Sequence, residues 1–493
     1  MKIRCMRAAL LGALAFLAAT IAAAADDATT LLAKHKAYAG WQFGDPGVKV
    51  LELTETAKRD NTVELRERVR RIGLLYRIDA RNVKAGTDSS IGFTGNLFWY
   101  SDENGFTVPI IGDAAKVLLA QDLFFTDAVT QLPWTWLRDE RRWNTQYAVI
   151  RVEQPNAFPL EIYVDPQSGA YGGATIDPKG ENEQTIRIID YQTAASQRFI
   201  NQWKFDGSRR TVGISDIKLA APILPEDLHP PAQTAHWEFK NATPFPIRLT
   251  EKRIVIKARV NGVEGSFLLD SGAGRIFLSG AFARRAGIKA TGQTESRTLY
   301  GTQKVDAGEA ATIDVGGNIL HDVKLYFGQP EFDAEGPDGL MGFALLAGAF
   351  TTLDFERSTL QLQDPNSVDP ATVQGVHVGV DLSNGTPRAL MNVQGKTATV
   401  NATIDTGDPR FALISDELVN TYGLRMTAAG VFGGCGTLDN MSIGPLVYDK
   451  PNACTVQFGG VHDALIGYDF LKGLSKVYFD YPRAMMIFTP RAK

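Results

Sequence analysis

The sequence predicts a mainly β protein: a front domain built on one sheet, then a rear body in which one β unit is read twice. Three observations predict it. Short runs rich in Val, Ile, Phe and Tyr, separated by Asn-Gly, Asp-Pro and other Gly turn signals, fill both halves of the chain. The apolar run ending Phe267-Leu268-Leu269-Asp270-Ser271-Gly272 returns about 135 residues later as Ala402-Thr403-Ile404-Asp405-Thr406-Gly407. Each acid is then followed by an apolar-apolar-Gly landmark, Leu340-Met341-Gly342 and Leu465-Ile466-Gly467. Internal duplication of an all-β unit is the simplest account.

At 493 residues the chain is too long for a single core. The predicted divisions are a signal peptide over 1–25, a front domain over 26–221, a Pro-rich linker over 222–243, and two copies of the rear unit over 244–370 and 371–493. A hydrophobic content of 44% with 22% charge is that of a globular chain and argues against disorder. The net charge is −4, and −7 once the three cations Lys2, Arg4 and Arg7 leave with the first 25 residues. No basic run stands out, so a nucleic-acid partner is not expected.

Lys2, Arg4 and Arg7 precede the apolar Ala8 to Ile21, and Ala23 to Ala25 fit the small-residue cleavage rule. The expectation is export, to the periplasm or outside the cell; the alternative is an uncleaved anchor, for which the run is short. No other stretch has the length and purity of a membrane span. Export permits disulfides. Cys5 leaves with the signal, and Cys435 and Cys454 remain in one region. A bridge between them would close about 20 residues and contribute roughly 3 kcal/mol; two free buried thiols are the alternative. Two Cys and scattered His are too few for a metal site.

In chain order, a short helix is expected from Asp26 to Ala37. Strand text begins at Val48, with Val50, Leu51 and Leu53, passes through a charged stretch and resumes over Ile72 to Ile78. Gly95 to Tyr100 and Phe106 to Ile111 are joined by Asp102-Glu103-Asn104-Gly105, a hairpin signal because Asn-Gly accepts positive φ. Asp113 reads as the N-cap of a helix through Ala128. Strands follow over Tyr147 to Val152, Leu160 to Val164 and Thr185 to Tyr191. Pro222, Pro225, Pro230, Pro231, Pro244 and Pro246 then mark a stiff connector. In the first copy, strands over Ile254 to Val260 and Gly265 to Asp270 precede a helix over Ser279 to Ala286; strands Ala311 to Val315, Val323 to Phe327 and Thr352 to Leu362 complete it. The second copy repeats the order with Ala389 to Val393, Ala398 to Asp405, a helix over Asp416 to Tyr422, and Val477 to Phe488.

One acid-hydroxyl-Gly triplet is weak, since roughly 0.2 arise by chance in a chain of this size. Two in the same local frame are far beyond that. On these residues, the region from Pro244 to Pro490 resembles the aspartic proteases, nearest the bacterial retropepsin-like domains, with two lobes in one chain as in pepsin. The front domain, with its strand pairs, Asp-Pro and Asn-Gly turns and following helix, resembles the half-barrel of periplasmic lipoprotein carriers such as LolA. Its Trp99, Trp134, Trp136 and Trp143 either line an apolar groove or pack the core.

Together the two resemblances imply a mainly β fold with a half-barrel in front and a bilobal pepsin-like body behind. The protease resemblance implies that Asp270 and Asp405 are the catalytic pair, sharing one proton because two carboxylates about 3 Å apart cannot both ionise. One takes a proton from a bridging water and the other donates to the peptide carbonyl, so no metal and no cofactor is needed. Gly272 and Gly407 allow tight turns that aim N–H groups at the acids, and Ser271 and Thr406 cross-link the two loops. The flap of the first lobe falls on Thr298 to Thr302, with Tyr300 and Gly301 at its tip; Cys435 lies in the corresponding Gly-rich loop of the second.

Two positions depart from the family. Ala273 replaces a hydroxyl residue, and losing that hydrogen bond raises the acid's pKa. Asp408 follows the second triplet, where it either raises the pair further or marks a lobe that has lost catalysis. The functions carried forward are an exported aspartic endopeptidase acting on peptide or protein substrates, a non-catalytic envelope protein binding a peptide or apolar ligand, and a symmetric dimer using Asp270 alone.

Overall fold

The computed structural model describes residues 28–83, 88–180, 182–298, 301–328, 337–383, 385–393, 398–423, 427–428, 434–456 and 464–492. The expected signal peptide lies outside them. The described chain is mainly β, as its apolar runs and turn signals require. It divides into two compact units: the chain through Ala80 with Phe93–Gly95 and Asp113–His229, and Arg81–Gly92 with Asn96–Gly112 and Pro230–Lys493.

The first unit is a half-barrel sheet. Its strands lie in the order Leu75–Asn82, Thr62–Ile72, Val50–Arg59, Arg210–Leu219, Gln197–Phe205, Gln184–Ala194, Tyr171–Ile176, Leu160–Val164, Thr145–Val152 and Thr135–Arg142. The charged stretch after Leu53 is itself strand. Cross-strand register sets Leu53 against Val69 and Ala57 against Leu65 on one face. The opposite face carries Glu52, held by Arg68 at 2.6 Å and Lys218 at 2.8 Å. Paired charges on one face and a largely apolar other face are what a one-sided sheet needs. Gly73, at φ 61, splits the expected strand over Ile72 to Ile78 into a turn between two strands.

Helices over 28–39 and Gly112–Phe125 cover the apolar face. Ala28, Leu31, Ala120, Leu123 and Phe124 bury themselves with Ile150, Ile162, Ile176 and Ile186. Arg71, on that face, reaches Asp122 of the second helix at 2.8 Å. Trp134 and Trp136 pack against this core, and Trp143 joins a separate cluster with Tyr147 and Tyr163. Trp99 is buried and belongs to the second unit.

That unit contains both copies of the repeat. One core runs through it, from Ile254, Phe267, Leu269 and Phe343 in the first copy to Ile404, Ile466, Phe470 and Phe488 in the second. A six-stranded sheet joins the copies: Phe350–Asp354 of one runs antiparallel to Leu474–Asp480 of the other, with Leu353 opposite Val477. The two closing strands expected from sequence are each a hairpin. Ser358 at φ 53 turns the first, and Ala484 at φ 50 turns the second. Non-Gly residues at positive φ gave no turn signal in the sequence.

The unit also holds the hairpin Phe98–Ser101 and Thr107–Ile110, from far earlier in the chain. Phe106 and Val108 lie in the shared core. Among the described residues no helix is long and apolar enough to cross a membrane.

Candidate active site

Each acid ends a strand that is held in parallel by its apolar-apolar-Gly landmark. Phe267, Leu268 and Leu269 pair with Gly339, Leu340 and Met341; Ala402, Thr403 and Ile404 pair with Ala464, Leu465 and Ile466. The pairing continues one residue further, as Asp270 N–H donates to Met341 O at 3.0 Å and Asp405 N–H to Ile466 O at 2.8 Å. Beyond each acid the chain folds back across the landmark glycine. A Cβ on Gly342 would lie 2.2 Å from Ala273 O, and one on Gly467 would lie 2.3 Å from Arg410 O. Only glycine permits that crossing. Phe343 N–H then donates to Ala273 O at 2.9 Å and Tyr468 N–H to Asp408 O at 2.7 Å. The two loops are therefore the same device built twice.

The structure brings the six site residues of the two triplets together. A Cβ on Gly272 would sit 2.3 Å from Asp405 Cγ, and one on Gly407 would sit 2.5 Å from Asp270 Cγ. Each carboxyl group lies against the glycine of the opposite loop, and the two carboxyl groups hydrogen-bond one another. Ser271 and Thr406, both fully buried, cross-link the loops beneath them. Ser271 N–H donates to Thr406 Oγ1 at 2.9 Å, and Thr406 N–H donates to Ser271 Oγ at 3.0 Å. Gly407 N–H donates to Asp405 Oδ1 at 2.7 Å.

Both acids keep some surface open to solvent, yet protein surrounds them closely enough that desolvation dominates their titration. Burial, then the charge of Asp270, pushes Asp405 well above the usual carboxylate range. Burial also raises Asp270, while its hydrogen bond from Asp405 and those from the Gly272 and Ala273 N–H groups pull it back. The two acids therefore titrate as one unit, raised above the usual carboxylate range by burial and holding a proton between them. Among the described residues the buried Asp270 Oδ1 has no hydrogen-bond partner.

Asp408 is buried and held at both oxygens by Arg410. Arg410 N–H and Nε each donate to Asp408 Oδ1 at 2.9 Å, and Nη2 bonds Oδ2. Its charge raises both acids of the pair only as the smallest of their named causes.

The flap candidates fall on a hairpin. Gly292–Thr298 pairs with Gly301–Val315, and Gly301 faces Thr298 as the closing pair. Tyr300 lies outside the described residues. Cys435 and Cys454 are opposite one another on antiparallel strands of the second copy and form a disulfide. Among the described residues no group of three His, Cys, Asp or Glu is placed to hold a metal ion.

Sequence reasoning overlooked two residues. Arg410 was legible as the fifth residue after its acid, a place that Arg275 takes in the first copy. Tyr481 was not legible. It is fully buried, its hydroxyl has no hydrogen-bond partner among the described residues, and after burial the charges of Asp270 and Asp405 are what raise its phenol.

Residues 256–345 match the family model Asp_protease_2, described as aspartyl protease. Solved structures similar to the chain include an aspartic proteinase from Irpex lacteus, 11% identical, over 51% of this chain and 97% of that one, with a TM-score of 0.37. A retropepsin-like aspartic protease from Rickettsia conorii is 20% identical over 26% of this chain and 92% of its own, at 0.20. A LolA superfamily protein from Nitrosomonas europaea is 16% identical over 41% of this chain and 96% of its own, at 0.30. No curated protein sequence matches the chain.

Proposed function

We propose that the protein is an exported aspartic endopeptidase that hydrolyses peptide bonds with Asp270 and Asp405 as its catalytic pair. The observation that carries this reading is the reciprocal packing of the loops, in which each carboxyl group rests on the glycine of the opposite copy. Two acids so held share one proton and titrate as a unit. The ionised acid of the pair takes a proton from a water molecule lying between the two. Its neutral partner donates its proton to the carbonyl oxygen of the scissile peptide. The water oxygen bonds the carbonyl carbon and forms a tetrahedral intermediate. The first acid then returns its proton to the leaving nitrogen as the C–N bond breaks, and the second recovers its own from the intermediate. Salt-bridging of Asp408 by Arg410 supports a working second copy, because the third acid is compensated locally.

Export to the periplasm or cell exterior follows from the charged and apolar N-terminus and agrees with the disulfide. The front unit is read as the part that holds an apolar ligand or an envelope partner. Leu51, Leu53, Ile214, Ile217 and Trp203 are only half-buried, and register places Leu51 and Leu53 opposite Leu219 and Ile217 on one face.

The test is cleavage of a mixed peptide library by the purified full chain over a range of pH, with and without pepstatin. Inhibitable cleavage that is lost in both Asp270→Ala and Asp405→Ala is the expected result. Loss in Asp270→Ala alone would favour a homodimer using only the first copy. No cleavage at any pH by the folded protein would leave the binding-protein reading.

A further inference from the structure

The two acid loops share more than their triplets. In each, an arginine stands five residues after the acid: Asp270 to Arg275 and Asp405 to Arg410. Both arginine carbonyls press on the landmark glycine, Arg275 O lying 2.4 Å from a Cβ on Gly342 and Arg410 O 2.3 Å from one on Gly467. The arginine is thus the residue at which each loop crosses its supporting strand. In the second copy its side chain is fixed by Asp408, three residues after the acid. In the first copy that position is Ala273, which cannot pair with it.

The missing carboxylate comes from elsewhere in the chain. Arg275 Nε lies 3.0 Å from Glu103 Oε1, and the guanidinium stacks 4.6 Å from the Tyr326 ring centroid. Glu103 is in the Asp102-Glu103-Asn104-Gly105 turn of the hairpin that joined the second unit, and its side chain is only 3% exposed. The turn is pinned there through the backbone and side chain of Asn104. Asn104 O accepts from Thr234 N–H at 3.0 Å and Ala235 N–H at 3.1 Å, and Lys324 N–H donates to Asn104 Oδ1 at 2.8 Å. A Cβ on Gly105 would sit 2.6 Å from Gln233 Cα, so the turn admits only glycine at that point. Asp102 closes it, accepting from Asn104 N–H at 3.0 Å and Phe106 N–H at 2.9 Å.

We infer that Glu103 is a positioning residue for the first acid loop, taking the part in the first copy that Asp408 takes in the second. The inference rests on the endopeptidase reading. It makes residues 96–112 part of the catalytic unit although they precede Asp270 by more than 150 positions. A cut in the Pro-rich connector would leave this hairpin bonded to the front half of the chain. The front half is therefore not a propeptide that one cleavage can discard, and the lobes expressed from Pro244 onward would lack a fixed first loop.

The experiment is a rescue in the full chain. Glu103→Gln removes the carboxylate charge, and Ala273→Asp offers a new one at the place equivalent to Asp408. Peptide cleavage by Glu103→Gln is expected to fall about 10- to 100-fold in kcat with little change in KM, the usual result of misplacing a reacting group. Glu103→Gln with Ala273→Asp is expected to recover most of that loss. Unchanged kcat in Glu103→Gln, or no recovery in the double variant, overturns the inference. Should Glu103→Gln fail to fold, a double variant that folds and cleaves upholds it, and one that does not overturns it. The urea midpoint gives a readout independent of activity: lowered in Glu103→Gln and restored in the double variant. If the unmodified chain cleaves nothing, the endopeptidase reading fails, while the midpoints still decide whether Glu103 anchors the loop.

Discussion

Ser271 and Thr406 exchange hydrogen bonds reciprocally. Each backbone N–H donates to the hydroxyl of the other, and each hydroxyl donates to a carbonyl two residues before the other: Ser271 Oγ to Ile404 O and Thr406 Oγ1 to Leu269 O, both at 2.7 Å. The four bonds are buried and close a ring directly under the paired acids. A hydroxyl residue is required there because it alone is small, accepts and donates.

Ser271→Ala breaks two of the four bonds and strands the Thr406 N–H and the Ile404 carbonyl away from water. Leaving buried polar groups unpaired costs about 2–4 kcal/mol for such a pair. Thr406→Ser keeps the hydroxyl and removes one methyl group, for about 1 kcal/mol. Urea unfolding should separate the two variants by that margin. Equal midpoints would mean the ring contributes nothing to holding the copies together.

The glycine of each triplet is a contact surface for the opposite acid. Gly272→Ala sets a methyl group where Asp405 Cγ now lies, at 2.3 Å, and both Asp405 oxygens would be 2.5 Å away. The backbone at Gly272 is not at positive φ, so the added side chain strains the pairing of the acids rather than the turn. The expected outcome is a folded protein whose kcat falls by about 100-fold or more. Far-ultraviolet circular dichroism establishes the fold, and progress curves on a cleavable peptide give the rate. A variant with full activity would mean the acids do not meet across that glycine.

Much of this site was legible because the duplicated loop writes its chemistry locally. The acid, the hydroxyl residue, the glycine and the landmark that underlies them are each within one short run, and all six triplet residues meet in the structure. What was not legible lies in contacts between distant segments. Glu103 reads as a hairpin-turn residue, and nothing near it announces Arg275. Tyr481 lies in a turn set by Ala484 at positive φ, which no residue-type preference foretells. In the front sheet, the run Thr62–Ile72 looked like a charged stretch because its strand alternates Arg and Glu with apolar residues. Its inward face became readable only once the register against Val50–Arg59 was known.

The acid pair ties both stability and activity to pH. Both Asp270 and Asp405 are raised by burial above their unfolded-state values. Such groups contribute stability that is full below the ordinary carboxylate pKa and is lost as pH rises through the folded-state value. Asp405→Asn removes the titration while its side-chain oxygen still accepts from Gly407 N–H. At alkaline pH this variant should be more stable than the parent by about 1–3 kcal/mol, a margin that closes in acid. It should be inactive throughout. In the parent, the upper limb of kcat/KM against pH should lie above the usual carboxylate range. Thermal unfolding and initial rates on the same pH series check both halves. A parent that is more stable than Asp405→Asn at alkaline pH contradicts the raised acids.

The front unit carries a second acid pair, and its stability should also depend on pH. Glu55 and Glu67 are directly opposite on neighbouring strands, on the face that carries Leu53 and Val69. Like charges in that position repel. Burial first, and then the charge of Glu67, raise Glu55 to about 7, with Arg71 opposing. A carboxyl group raised in the folded state binds a proton more tightly there than in the unfolded chain. Its contribution to stability is therefore complete below about pH 4.5 and is lost as pH rises through about 7. The group keeps some solvent contact, so the effect should be on the order of 1–2 kcal/mol, less than the full shift implies. Glu55→Gln keeps the shape and removes the charge. It should gain little over the parent at pH 5 and clearly more at pH 8, with tryptophan fluorescence following the front unit through Trp134, Trp136 and Trp203. A gain at pH 5 equal to that at pH 8 would assign the effect to packing. No gain at either pH would mean that Glu55 titrates as an ordinary exposed glutamate.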